Sequence, residues 1–284
     1  MDKIFILGTS RTGSKFYMQF LNSHPDIYIC PEMIFRHPVK KDFHGFIENE
    51  LKNKNNADEL ASKIFEFKER LPFTRTIESI GRQKIKNKIN NLKKLSPEVI
   101  FESILDLASE EKGKSISGAK FPVHPKYSDY LMKNYGKSKV LFLTRDPRAI
   151  FISDFKKKER ESKGKYYRFP VKGILLRKLI LLYASREWKR SLKNYELCNN
   201  KYGNERIKLF FYENIIQQKE KLIQQISGFI HQPEDLFDLS EIEIADSSYE
   251  KGVSIDRWEN EITNFEILLI KLLAGRKMKK YGYR

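Results

Sequence analysis

Cysteine is nearly absent from this chain. Cys30 and Cys198 are the only two in 284 residues, so no disulfide framework or four-thiolate zinc centre can be built, and such sparing use suits a reducing compartment. Long apolar runs are missing as well. The longest beside a helix, residues 173–183, is interrupted by Arg177 and Lys178 and is too short to span a bilayer. The apolar start is five residues long with polar residues directly after it, so no secretory leader is expected. These absences predict a soluble, cytoplasmic protein without a transmembrane segment. His37, His44 and His231 have no partners at metal-ligand spacing and receive no role. Acidic residues are in deficit, 37 against 54 Lys and Arg, for a net charge of +17. That charge fits an anionic ligand or partner and equally a composition biased to Lys and Asn, so the placement of particular cations matters more than the total. No base-stacking aromatics interleave with a basic strand, as they do in single-strand binders, and no specific nucleic-acid partner is expected.

What is present is organised around residues 1–32. The apolar stretch Lys3-Ile4-Phe5-Ile6-Leu7 reads as a buried strand. Gly8-Thr9-Ser10-Arg11-Thr12-Gly13-Ser14-Lys15 follows, and then a helix from Gly13 to about Ser23 with Phe16, Phe20 and Leu21 on one face. Strand, glycine-flanked loop and helix form a phosphate cradle, in which backbone N–H groups and the helix dipole face an anion. Further strands are predicted at 27–30, 116–121, 139–144 and 207–212. Helices are predicted at 127–135, from Pro147 onward, at 174–196, after Asn214 to about Ile230, and near 260–274. Glycine is scarce across 33–115, and no Pro/Gly/Ser linker isolates it. Its patches Ile64-Phe65-Phe67 and Val99-Ile100-Ile104-Leu105-Leu107 read as a helical insertion over the sheet edge. The alternation predicts an α/β fold: a three-layer, P-loop-like parallel sheet flanked by helices, in a single domain over 1–284. Ligands of such sheets bind at the carboxyl ends of strands, where the Gly8 loop, Arg145 and Tyr212 fall.

A nucleotide-kinase P-loop reads Gly, four residues, Gly, Lys, Ser/Thr. Gly8 and Gly13 have that spacing, but Ser14-Lys15 comes in the reverse order and the cation inside the loop is Arg11. No strand ends in a plain acidic magnesium ligand. The pattern therefore favours anion binding through cations and amides, without metal. Two other readings stay open: a P-loop kinase with a rearranged loop, and a non-catalytic polyanion-binding module.

These residues carry a family resemblance. The run from Gly8 to Ser14, with His24-Pro25 after the helix, resembles the 5′-phosphosulfate loop of the sulfotransferases that use 3′-phosphoadenosine 5′-phosphosulfate (PAPS). Leu143-Thr144-Arg145-Asp146-Pro147-Arg148-Ala149-Ile150 with Ser153 is similar to their 3′-phosphate motif. Phe211-Tyr212-Glu213-Asn214 resembles their Tyr-Glu-Asp strand end. Tyr249-Glu250-Lys251-Gly252 followed by Trp258 resembles their C-terminal basic-Gly loop and tryptophan, with a slightly longer spacing. The resemblance leaves 33–115 and about 156–205 uncovered.

It implies PAPS as co-substrate, adenosine 3′,5′-bisphosphate (PAP) as product, and an acceptor hydroxyl or amine on a glycan, phenol, tyrosine peptide or lipid. Arg11, Thr12, Gly13, Ser14 and Lys15 would hold the phosphosulfate. Arg145 and Ser153 would take the 3′-phosphate, a guanidinium suiting it by two parallel bonds. Tyr212 would meet the adenine, and Lys251-Gly252 would fold over the 3′-phosphate. Each has a plainer alternative: an Arg145–Asp146 cap pair, a packed Tyr212, a solvated turn at Lys251. In-line transfer needs a base for the acceptor and positive charge for the leaving phosphate. Glu32 is the preferred base, by its resemblance in spacing to the protein-tyrosine sulfotransferases. His124 is its rival: cytosolic sulfotransferases place a histidine two residues after a strand-end lysine, which Lys120 matches, but Pro122 stands there and His124 is displaced. Lys120 is expected at the acceptor or the transferring group. The cluster 156–160 is read as a solvated helix end.

Overall fold

The structure is a computed structural model that describes residues 3–32, 42–53, 56–67, 71–121, 125–161, 170–238 and 256–284. In chain order the elements are β1 (Lys3–Gly8), α1 (Ser14–Ser23), β2 (Ile27–Cys30), α2 (Phe43–Lys52), α3 (Ala57–Glu66), α4 (Leu71–Ile80), α5 (Arg82–Asn90) and α6 (Pro97–Glu110). Then come β3 (Ile116–Phe121), α7 (Ser128–Asn134), β4 (Lys139–Thr144), α8 (Pro147–Glu161) and α9 (Pro170–Tyr202). The chain ends with β5 (Ile207–Phe211), α10 (Asn214–Gln217), α11 (Lys219–Ile230) and α12 (Asn264–Lys280).

The five strands form one parallel sheet in the order β2-β3-β1-β4-β5. Strands covered on both faces must be apolar at nearly every position, and β1 is buried throughout. Its side chains divide by parity. Phe5 and Leu7 join one core with Ala119, Phe121, Val140 and Phe142. Ile4 and Ile6 join the opposite core with Leu141, Leu143 and Phe210. Helices α1 and α11 cover the second core, with Phe16, Phe20, Leu222 and Ile226 packed into it. Helices α2 to α7 cover the first. The leftward crossing from β1 to β2 runs over one face and the rightward crossings from β2 to β3 and from β3 to β4 over the other, as right-handed parallel connections require.

The segment expected to be helical carries α2 to α6 among its described residues, and local signals set their boundaries. Asp42 caps α2 by accepting from Gly45 N at 2.7 Å. Asn56 and Glu59 form a capping box on α3, and Ser96 with Pro97 opens α6. Helix α9 overruns the expected span at both ends, because nothing stops it until Gly203, whose φ of 78° closes the last turn. The final helix starts later than expected, at the Thr263–Glu266 capping box. The helix after β5 splits at Gln218, whose backbone leaves the helical region (φ −143°, ψ 48°). A third core, built from Phe151, Ile180, Trp188, Ile270, Ala274 and Met278, joins α8, α9 and α12.

One lysine ties α1 to the sheet. Lys114 donates to the carbonyls of Asn22 (2.5 Å), His24 (2.8 Å) and Ile27 (3.0 Å). The first two are carbonyls at the end of α1 and the third opens β2, so the amine bridges helix and strand. Burial pulls the Lys114 amine below the usual lysine range, yet three acceptors hold it in place. Replacing it by methionine strands those oxygens. Lys114→Met is expected to lower unfolding stability by about 2 kcal/mol, read from the urea midpoint; an unchanged midpoint would contradict this role.

Candidate functional site

The carboxyl ends of all five strands meet at one edge. The register sets Ile6 against Lys120, Gly8 against Leu143, and Thr144 against Phe211. The chain leaves β1 toward the α1 face but leaves β3 and β4 toward the other. This divergence opens a crevice at the switch point, where open parallel sheets bind ligands.

The loop between β1 and α1 lines that crevice. Gly8 has φ 149°, and a Cβ there would lie 2.6 Å from the Leu143 carbonyl, so only glycine lets β1 end this close to β4. Arg11 (φ 69°) and Gly13 (φ 78°) are left-handed, with Thr12 between them at negative φ. Such alternation turns successive N–H groups toward one side, as an anion nest does. Arg11 pays a steric cost of about 1 kcal/mol for its backbone. In that conformation its guanidinium reaches across to Ser153 on α8, with Nε donating to Oγ at 2.7 Å. Thr12 donates to Thr9 O at 2.8 Å, which stiffens the loop. Thr9 Oγ1 is buried and has no partner among the described residues.

Arg145 follows β4. It donates to Arg11 O at 3.3 Å, and its guanidinium stacks on the Tyr212 ring at 3.9 Å. It forms no ion pair with described residues, because the neighbouring carboxylate is taken. Asp146 receives both the Arg148 side chain (2.6 Å from Nη2 to Oδ2) and the Arg148 backbone N–H (2.8 Å). The capping pair between Arg145 and Asp146 is thus replaced by one with Arg148. Tyr212 packs against Gly13, where a Cβ would come within 2.5 Å of the ring. The strand end is fixed from behind. Trp188 donates Nε1 to Thr144 Oγ1 (3.1 Å) and to Arg145 O (2.9 Å). Glu213 accepts the Asp146 N–H at 2.8 Å and the Tyr283 hydroxyl at 3.1 Å.

On the other side of the loop, Lys120 is the penultimate residue of β3, on the same face as Ile6, and points toward the start of α1. Its buried amine lies 3.2 Å from Glu32 Oε2 and 3.5 Å from Ser14 Oγ, the second contact being long. Glu32 lies just beyond β2 and is half-buried. The five strand ends, the first turn of α1 and α8 therefore bring Arg11, Ser14, Glu32, Lys120, Arg145, Ser153 and Tyr212 to one crevice. Lys15 projects from α1 into solvent and has no hydrogen-bond or ion-pair partner among the described residues. His124, Lys251 and Gly252 lie outside the described residues. Trp258 is described, and Arg148 stacks on it at 4.2 Å. Sequence reasoning did not single out Trp188 or Tyr283. Both act through contacts with residues at least 43 positions away, and no local pattern signals them. In the 156–160 cluster, Lys156 pairs with Glu261 (2.5 Å), Lys157 with Glu161 (3.8 Å) and Lys158 with Asp154 (3.7 Å).

The chain belongs to the Sulfotransferase family, whose profile matches residues 3–235. Among solved structures it is similar to the sulfotransferase domain from the Synechococcus PCC 7002 olefin synthase, at 17% identity and a TM-score of 0.54 over 95% of this chain and 93% of that one. It is also similar to the sulfotransferase domain from the curacin biosynthetic pathway, at 17% identity and a TM-score of 0.57 over 100% and 98%. A third likeness is to sulfotransferase STF9 from Mycobacterium avium, at 12% identity and a TM-score of 0.55 over 98% and 76%. At these identities the likeness is one of fold. No curated protein sequence matches the chain.

Burial holds the Glu213 carboxyl above the ordinary glutamate range. A raised pKa means that the folded chain keeps this proton to higher pH than the unfolded chain does. The associated stability is present in acid and is lost as pH rises through the folded value. Glu213→Gln keeps an acceptor for Asp146 N–H and removes this titration. The stability of the variant relative to wild type is expected to rise as pH increases above the ordinary glutamate range, measured by chemical denaturation; a pH-independent difference would contradict the assignment.

Proposed function

We propose that this chain transfers a sulfuryl group from PAPS to a hydroxyl or amine acceptor. The observation that carries the reading is the convergence of Arg11, Lys120 and Arg145, with the amides of the Gly8–Ser14 loop, on one crevice. Such a donor set fits a ligand with two separate anionic ends. Thr9 Oγ1, buried and without a described partner, supports the fit, since a phosphate or sulfate oxygen would satisfy it.

In this reading Arg145 and Ser153 hold the 3′-phosphate, and Tyr212, already stacked under Arg145, borders the adenine. Arg11 gives up part of its bond to Ser153 and turns to the phosphosulfate beside Thr12, Gly13 and Ser14. Lys251 and Gly252 would complete the 3′-phosphate end. The reaction forms a bond from the acceptor oxygen or nitrogen to sulfur and breaks the bond from sulfur to the 5′-phosphate oxygen. The electron pair of the broken bond leaves on that phosphate, where Arg11, Lys120 and the loop amides stabilise it. The acceptor proton passes to Glu32, which Lys120 holds at the crevice by their 3.2 Å pair. His124 remains the alternative base, and Lys15 a peripheral cation. Nothing in the chemistry of these residues calls for a metal.

Calorimetry with PAP and transfer of labelled sulfate from PAPS to a panel of phenols, sugars, tyrosine peptides and lipids test this reading. Arg145→Ala is expected to weaken PAP binding by about 10- to 100-fold, the scale of a charge-assisted contact. Glu32→Gln should keep PAP binding and slow transfer by about 100-fold or more. Wild type that fails to bind PAP would overturn the proposal. Glu32→Gln with full activity would move the base to another residue.

A further inference from the structure

Apolar exposure on this molecule is concentrated rather than scattered. Of the eleven strongly exposed large apolar side chains among the described residues, nine lie on α9 and α12. On α9, Leu175, Leu179 and Leu182 recur at helical spacing on the side away from buried Ile180, Ala184 and Trp188. On α12, Phe265, Leu268 and Leu272 recur opposite buried Ile270, Ala274 and Met278. Each helix is thus apolar on two opposite sides, and the core needs only one. The exposures are large: 55% at Leu179, 60% at Phe265 and 75% at Leu272. The two helices pack side by side, joined by Arg177–Glu266 at 2.6 Å and Lys277–Glu196 at 2.5 Å. Their outward faces adjoin. This patch includes the 173–183 run that stood out in the sequence, and the crevice makes no use of it.

Charge identifies the occupant. Arg186 and Lys193 continue the α9 stripe, and Arg276 and Lys279 continue that of α12; all four are exposed. The carboxylates on the two helices are Glu187, Glu196 and Glu266, and each is already paired, with Arg190, Lys277 and Arg177 respectively. An apolar face rimmed by cations with its carboxylates neutralised matches the interface of an anionic bilayer, where leucine and phenylalanine enter the acyl boundary and Lys/Arg meet the headgroups. A second copy of the chain fits less well, because a two-fold pairing would press the same cations together. We propose that the outward face of α9 and α12 is a peripheral docking surface for membranes rich in anionic phospholipid. The surface stands independently of the transfer reaction.

Co-sedimentation of the full chain with phosphatidylcholine vesicles, with and without phosphatidylglycerol, tests it. Wild type is expected to bind only the phosphatidylglycerol vesicles. Leu179→Glu combined with Leu272→Glu should reduce that binding by about tenfold or more, while Leu95→Glu, an exposed site off this face, should not. Circular dichroism and PAP binding establish that the variants are folded. Arg186→Gln with Lys193→Gln and Arg276→Gln, which leave the apolar side chains in place, should weaken binding and flatten its salt dependence. No vesicle binding overturns the proposal. So does equal binding to neutral vesicles, or binding that salt abolishes but the glutamates leave intact, which would mark a mere polyanion patch. A concentration-dependent dimer lost in the glutamate variant, without vesicle binding, would assign the face to a second copy and also overturn it.

Discussion

The site depends on how β1 ends. Gly8 brings the last residue of β1 against the Leu143 carbonyl at a distance no side chain allows. The chain then turns through two left-handed residues, Arg11 and Gly13, into α1. That single constraint aims the loop amides into the crevice, sends the Arg11 guanidinium to Ser153, and sets Gly13 under the Tyr212 ring.

Around this loop the protein spends buried polar groups on rigidity. Trp188 and Glu213 hold the β4 end through the Arg145 carbonyl and the Asp146 N–H, and Tyr283 holds Glu213. Asp146 takes up Arg148, and Arg148 in turn stacks on Trp258. Preorganised cations suit a ligand whose charge shifts during reaction, because little reorganisation is needed when the charge moves. The sites of α9 and α12 obey a different logic, in which apolar side chains stay in water although the core has no use for them.

Much of the architecture was legible because its signals are local. The apolar runs at 3–7 and 139–144, the Gly8–Gly13 loop and Pro147 each announce an element within a few residues, and the sheet assembled from them is the expected parallel one. Helix ends were less legible: α9 runs to Gly203 because only a left-handed glycine stops it, and the start of α12 is decided by a capping box. In the site, Arg11, Arg145, Lys120 and Glu32 were identifiable as types near strand ends and Ser153 by the family resemblance, and the structure brings them together. What the sequence could not convey is pairing across the chain. Arg11 bonds Ser153 over 142 positions and Lys120 meets Glu32 over 88, so the two expected anion subsites form one contiguous cluster. The same limit hid Trp188 and Tyr283, whose roles exist only through distant partners.

A crevice that takes both phosphate ends of one nucleoside must distinguish nucleotides by their 3′-phosphate. The most direct measurement compares, by calorimetry on the wild-type chain, PAP with adenosine 5′-monophosphate, which lacks only the 3′-phosphate. Losing that phosphate is expected to weaken binding by about 100-fold, with or without magnesium. Equal affinity for the two nucleotides, or tighter binding of ATP that requires magnesium, would contradict it.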